Sequence, residues 1–120
     1  MVRIAKMTAA LALVLAASTA PAAAQVYGAD MMLSIDGRRG EAPRLHMQGY
    51  VTGIIRGVRL VEGFRTDKGI CIPEQMTDGT VFSAVRDEVR SITDWRSSEA
   101  GLLVVMALLR TFGCRDGRLR

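Results

Sequence analysis

The sequence predicts an all-α fold: a small single-domain helical bundle of three main helices plus a short N-terminal helix, stapled by one disulfide. Three observations carry that expectation. Apolar residues recur at helical spacing in three separate segments. The stretches between them are rich in glycine, proline and capping residues, and only "ICIP" reads as extended. Two cysteines, Cys71 and Cys114, flank the second and third segments.

Residues 1–24 read as a signal peptide. Arg3 and Lys6 form a positive start, Met7 to Ser18 is an apolar run, and "PAAAQ" offers small residues at Ala22 and Ala24. Cleavage is expected between Ala24 and Gln25. The apolar run is too short to span a bilayer, which takes about 20 residues. No cysteine follows it, which argues against a lipoprotein. The mature part, residues 25–120, is long enough for one small domain. Loss of Arg3 and Lys6 takes the formal charge from +4 to +2. The remaining basic residues are scattered, apart from Arg38-Arg39 and the "CRDGRLR" tail, so no nucleic-acid footprint is expected.

"ADMMLSIDG" has the composition of a short helix, with Met31, Met32, Leu33 and Ile35 apolar. "DGRRGEAP" is a loop, and Pro43 fits the first turn of the helix after it. From about Ala42 to Gly63, Met47, Tyr50, Val51, Ile54, Ile55, Val58 and Val61 follow i, i+3, i+4, i+7 spacing. Gln48, Thr52, Arg56, Arg59 and Glu62 fall on what reads as the wet face. "FRTDKG" is an exposed loop. Thr77 or Asp78 is a candidate cap for a helix of about Asp78 to Thr93, with Val81, Phe82, Val85, Val89 and Ile92 as its stripe. Ser97 or Ser98 can cap the next, with Glu99 in its first turn. That helix, about Ser98 to Phe112, contains "GLLVVMALL". It is apolar all round and reads as the buried centre, since nine residues cannot cross a membrane.

An even cysteine count in a small exported chain favours a Cys71–Cys114 disulfide. It closes a loop of about 44 residues, for which chain entropy gives about 4 kcal/mol at best. Two thiols acting as metal ligands is the rival reading. The chain has one histidine, His46, so a four-ligand zinc site would need carboxylates.

In "GYVTGIIRGV", Gly49, Gly53 and Gly57 recur every fourth residue and share one side of a helix. Each costs about 1 kcal/mol against alanine. The expected return is close packing of the bulky 102–112 helix; a close contact with a partner chain is the other reading. A membrane dimer motif is excluded by Arg56, Arg59 and Glu62 in the same segment.

"GYVTGIIRGV", then "CIPEQMTDGTVFSAVRDEV", then a helix closing on "ALLRTFGC" is an ordered series that resembles the Rap/Tai-type immunity proteins of type VI secretion. Tyr50, Gly53, Cys71, Ile72, Pro73, Val85, Ala107, Leu108, Phe112 and Cys114 fall on the characteristic positions of that pattern. The resemblance spans about residues 47–114. It implies a small, exported, disulfide-bonded helical protein of the periplasm. Its partner would be an effector protein, a peptidoglycan amidase delivered by neighbouring cells, which it binds and blocks. A homodimer is compatible with this reading. Many members carry a further cysteine where Met47 stands here, so the N-terminal helix is expected to be less tightly tied.

An enzymatic reading has little support. His46 has no nucleophile beside it in sequence, Asp87-Glu88 reads as a solvated helix face, and no phosphate loop or dinucleotide fingerprint is present. No catalytic residue, metal ligand set or cofactor is expected. Once the leader is cleaved, no stable membrane insertion is expected either. The best candidates for partner contact are Arg65, Asp67 and Lys68, in the charged loop "EGFRTDKGI". A periplasmic accessory or structural binding protein of the same fold, without a toxin partner, is the alternative function.

Overall fold

The computed structural model describes residues 25–62 and 69–114. The signal-peptide expectation, Gly63 at the end of the Ala42–Gly63 segment, the C-terminal tail and the loop residues Arg65, Asp67 and Lys68 lie outside those residues. Four α-helices follow in order: α1 (Gly28–Ile35), α2 (Glu41–Glu62), α3 (Asp78–Val89) and α4 (Ala100–Phe112), with a 3₁₀ turn at Trp95–Ser97 before α4. The all-α expectation holds, and Cys71 and Cys114 are joined, with their Cα atoms 5.1 Å apart.

Each helix buries the stripe its spacing demands. Met31, Met32 and Ile35 of α1 meet Met47, Val51 and Ile55 of α2, Val81, Val85 and Val89 of α3, and Leu103, Val104, Ala107 and Leu108 of α4 in one core. α1 ends in a Schellman motif. Gly37 takes φ +76°, its N–H donates to the Ser34 carbonyl at 3.1 Å, and the Arg38 N–H donates to Leu33 at 3.0 Å. Pro43 lies in the first turn of α2, where its missing N–H costs nothing. Thr77 caps α3, its hydroxyl accepting from the Thr80 N–H at 3.2 Å.

Three expectations are corrected. α3 stops at Val89 rather than Thr93. The Ser91 hydroxyl takes the Glu88 carbonyl at 2.7 Å, and a tight turn delivers Ile92 to the core in place of another helical turn. α4 starts at Ala100 and is capped by Glu99, whose carboxylate accepts from the N–H groups of Gly101 and Leu102 at 2.9 and 2.8 Å. Ser97 and Ser98 instead turn their hydroxyls to the Asp94 carbonyl. Finally, α4 is not buried all round, because Leu102, Met106 and Leu109 face outward.

The N-terminal helix is firmly tied without the extra cysteine. The Gly28 N–H donates to Ser98 and the Ala100 N–H to Val26, both at 2.8 Å, making a short antiparallel bridge between Tyr27 and Glu99. At the other end of α4, Ile70 bridges Gly113 in the same way.

Candidate partner-binding surface

α2 and α4 run side by side in the same direction. The Tyr50 hydroxyl lies over Gly101 near the start of α4, where an added Cβ would come within 2.9 Å of it. Further along, Val61 and Leu109 share the walls of one groove. Ile54, Val58 and Val61 of α2 face Val105 and Leu109 of α4 across a volume of about 420 Å³, with Ile70 closing the end. The lining is apolar and wet: Val61 and Leu109 are 54 and 46% exposed. Single exposed apolar residues are ordinary on a protein surface, but a contiguous set lining a concavity marks an interaction site.

The backbone around the groove is well anchored. The Cys71 N–H donates to the Phe112 carbonyl at 2.6 Å and the Cys114 N–H to Gly69 at 3.0 Å, beside the disulfide. Arg59, expected on the wet face, is largely covered and works as a clamp. It reaches Asp78 at 3.1 Å, the Met76 carbonyl at 2.5 Å and the Pro73 carbonyl at 3.4 Å. Arg56 takes the second oxygen of Asp78 at 3.0 Å. These bonds hold the segment after Cys71 against α2. The pattern of apolar residues could not reveal Arg59, because its partners come from a non-helical stretch.

The packing role expected of Gly49, Gly53 and Gly57 is overturned. Among the described residues, a Cβ at any of the three would meet nothing within 4 Å. All three are exposed, on the side of α2 turned away from the core, with Gly57 at the edge of the groove. α4 packs instead on the Val51, Ile55 and Val58 side. The close approaches to glycine occur at Gly28, where a Cβ would stand 1.9 Å from the Trp95 carbonyl oxygen, at Gly113, where it would stand 2.5 Å from the Leu109 carbonyl oxygen, and at Gly101.

Tyr50 carries the one shifted titration near this surface. Partial burial pushes its phenol above the usual tyrosine value, and the charge of Glu99 adds to the effect. His46 is exposed. Asp87 and Glu88 diverge, Asp87 towards Arg86 at 3.7 Å and Glu88 towards Arg110 at 2.9 Å. Among the described residues, no three histidine, cysteine, aspartate or glutamate side chains group as a metal site, and no helix is long and apolar enough to cross a membrane. Sequence patterning missed the exposure of Leu102, Met106 and Leu109. The signal was there, since a helix apolar all round carries more apolar surface than three neighbours of this size can cover.

The chain is thus a small disulfide-bonded helical domain with an open apolar groove on its surface. The model of the Rap1a immunity proteins matches residues 22–114, and the chain belongs to that family. Comparison with curated proteins and with solved structures gives no match.

Proposed function

We propose that this protein is exported to the periplasm, where it binds and inhibits a peptidoglycan amidase effector of type VI secretion, acting by occlusion and not by catalysis. Family membership supports an immunity role, and the disulfide suits an exported protein. The observation that carries the reading is the open groove between α2 and α4, anchored at its end by the disulfide. Val61 and Gly69, which bound the charged loop, both line it. A partner's apolar side chain enters the groove while Arg65, Asp67 and Lys68 meet its polar rim.

Two variants of the purified mature protein test this against the cognate amidase. Changing Arg65, Asp67 and Lys68 together to alanine weakens binding about tenfold or more, about 1.4 kcal/mol. Leu109→Arg, which places a charge in the groove, abolishes inhibition of amidase activity. Both variants keep the wild-type melting temperature. Unchanged binding in both would remove this patch from the interface. Failure of the wild-type protein to bind any amidase from its own or neighbouring strains would favour the accessory-protein role. A homodimer belongs to the same proposal. The bare glycine face of α2 lets the helix of a second copy approach closely, and Gly53→Leu should then shift a dimer to monomer in light scattering.

A further inference from the structure

Apart from the α2–α4 groove, with which it shares no lining residue, α1 and the turn before α4 enclose a second cleft of about 560 Å³. Leu33, Asp36, Arg38, Arg90, Trp95 and Arg96 line it. Its charge is unbalanced. Arg90 is satisfied by Asp36 at 2.8 Å, whereas Arg38 and Arg96 have no ion pair or hydrogen-bond partner among the described side chains. The other carboxylates nearby do not answer them: Asp30 is taken by Arg39 at 2.5 Å, and Asp94 is exposed beside Trp95 without an ion pair.

Both unpaired guanidinium groups stand on backbone that is fixed in place. Arg38 follows the left-handed Gly37 of the Schellman motif, its own N–H tied to Leu33. Trp95 and Arg96 follow Asp94, the one non-glycine residue with positive φ among those described, at +58°. Aspartate is one of the few non-glycine residues that take this conformation, as a single residue in a turn. Here three hydrogen bonds converge on the Asp94 carbonyl, from the Ser97 N–H and the hydroxyls of Ser97 and Ser98. Gly28 presses on the Trp95 carbonyl from the other side. The Arg96 guanidinium lies 4.8 Å from the centre of the Trp95 ring. An arginine stacked on an indole keeps its in-plane N–H fork free for a planar bidentate acceptor.

We infer that this cleft is a receptor for an acidic segment of a protein partner: a side-chain carboxylate held between Arg96 and Arg38, with its aliphatic stem on Trp95 and Leu33. Tryptophan and arginine are the residues that most often dominate protein interfaces, and a fixed turn lowers the entropy lost on binding. The inference rests on the reading that the chain acts by binding a protein, and it assigns that partner a second, acidic contact away from the apolar groove.

Trp95 is the only tryptophan in the chain, so its emission reports the cleft directly. Titration of the mature protein with a short oligoglutamate peptide should shift that emission saturably, and an oligoglutamine peptide of equal length should not. The double variant R38Q/R96Q should weaken the response about tenfold or more, as should raising salt from about 50 to about 200 mM. R86Q, which removes an exposed charge elsewhere, should leave it unchanged. No saturable shift, equal responses to the two peptides, equal loss in R86Q, or a response only to vesicles of anionic phospholipid would each overturn the inference. If the cognate amidase binds wild type and R38Q/R96Q equally, the cleft is not part of that interface while the proposed function stands. If no amidase binds, the peptide titration still decides the cleft.

Discussion

The two ends of α4 are fastened by similar means to different effect. At its start, Tyr27 bridges Glu99 and the chain closes so tightly that only glycine fits at position 28; a Cβ there would lie 1.9 Å from the Trp95 carbonyl and 2.6 Å from the Leu103 side chain. At its finish, Ile70 bridges Gly113, yet the adjoining space between α2 and α4 stays open and apolar. The closed end needs no covalent help. The open end has the disulfide. An open apolar groove forgoes the burial that would otherwise hold its walls, about 25 cal/mol per Å², and the cross-link supplies order there without filling the space.

The largest effect that tests this contrast should come from the open end. Replacing Cys71 and Cys114 with serine should lower unfolding free energy in a urea titration by about 4 kcal/mol. A loss under about 1 kcal/mol would mean that packing alone holds that end. Next is the closed end, where Gly28→Ala should cost about 1–3 kcal/mol, because the methyl group meets backbone that cannot swing aside. Wild-type stability in that variant would show the junction to be loose.

The glycine face of α2 should respond with the opposite sign. Gly53→Ala adds a methyl into open space and removes a flexible residue from a helix interior. It should raise stability by about 0.5–1 kcal/mol in the isolated monomer. A destabilisation would restore the intramolecular packing role that the structure denies. The smallest effect concerns Tyr50. Its raised value means that the folded state prefers the neutral phenol. The associated stability is intact below the ordinary tyrosine range near about pH 10 and is lost as pH rises through the raised value. Thermal melts across that alkaline window should therefore fall less steeply for Tyr50→Phe than for wild type.

These contrasts also mark how far the sequence could be read. Helical spacing located α2, α3 and α4 and nearly all of their buried residues, because a 3.6-residue period and a single core leave little choice. Cys71 and Cys114 were legible for the same reason, as the two sulfurs flanking two helices. The glycines were not. Gly28 stands in no pattern and yet has the closest contact, while the regular trio on α2 packs against nothing among the described residues. A glycine repeat states that side chains are missing from a face, not what approaches it. Glu99 was misplaced by one position because a carboxylate in the first turn and a carboxylate at the cap both favour the same helix terminus. The Arg38, Trp95 and Arg96 cleft joins residues far apart in sequence through two left-handed backbone positions, and no local pattern announces that.

The bridges and the disulfide also set an order of events. The Cys114 link and the Gly113 bridge both reach back to residues near position 70, and the helix between them carries the middle of the core. A chain made from its N-terminus therefore has α1, α2 and α3 complete while their shared apolar surface still lacks its partner. α1, α2 and α3 can already touch one another, but the core they share with α4 is complete only when the last turn of α4 has emerged. For the export proposed above, a core completed this late would leave the chain open for passage through a narrow channel.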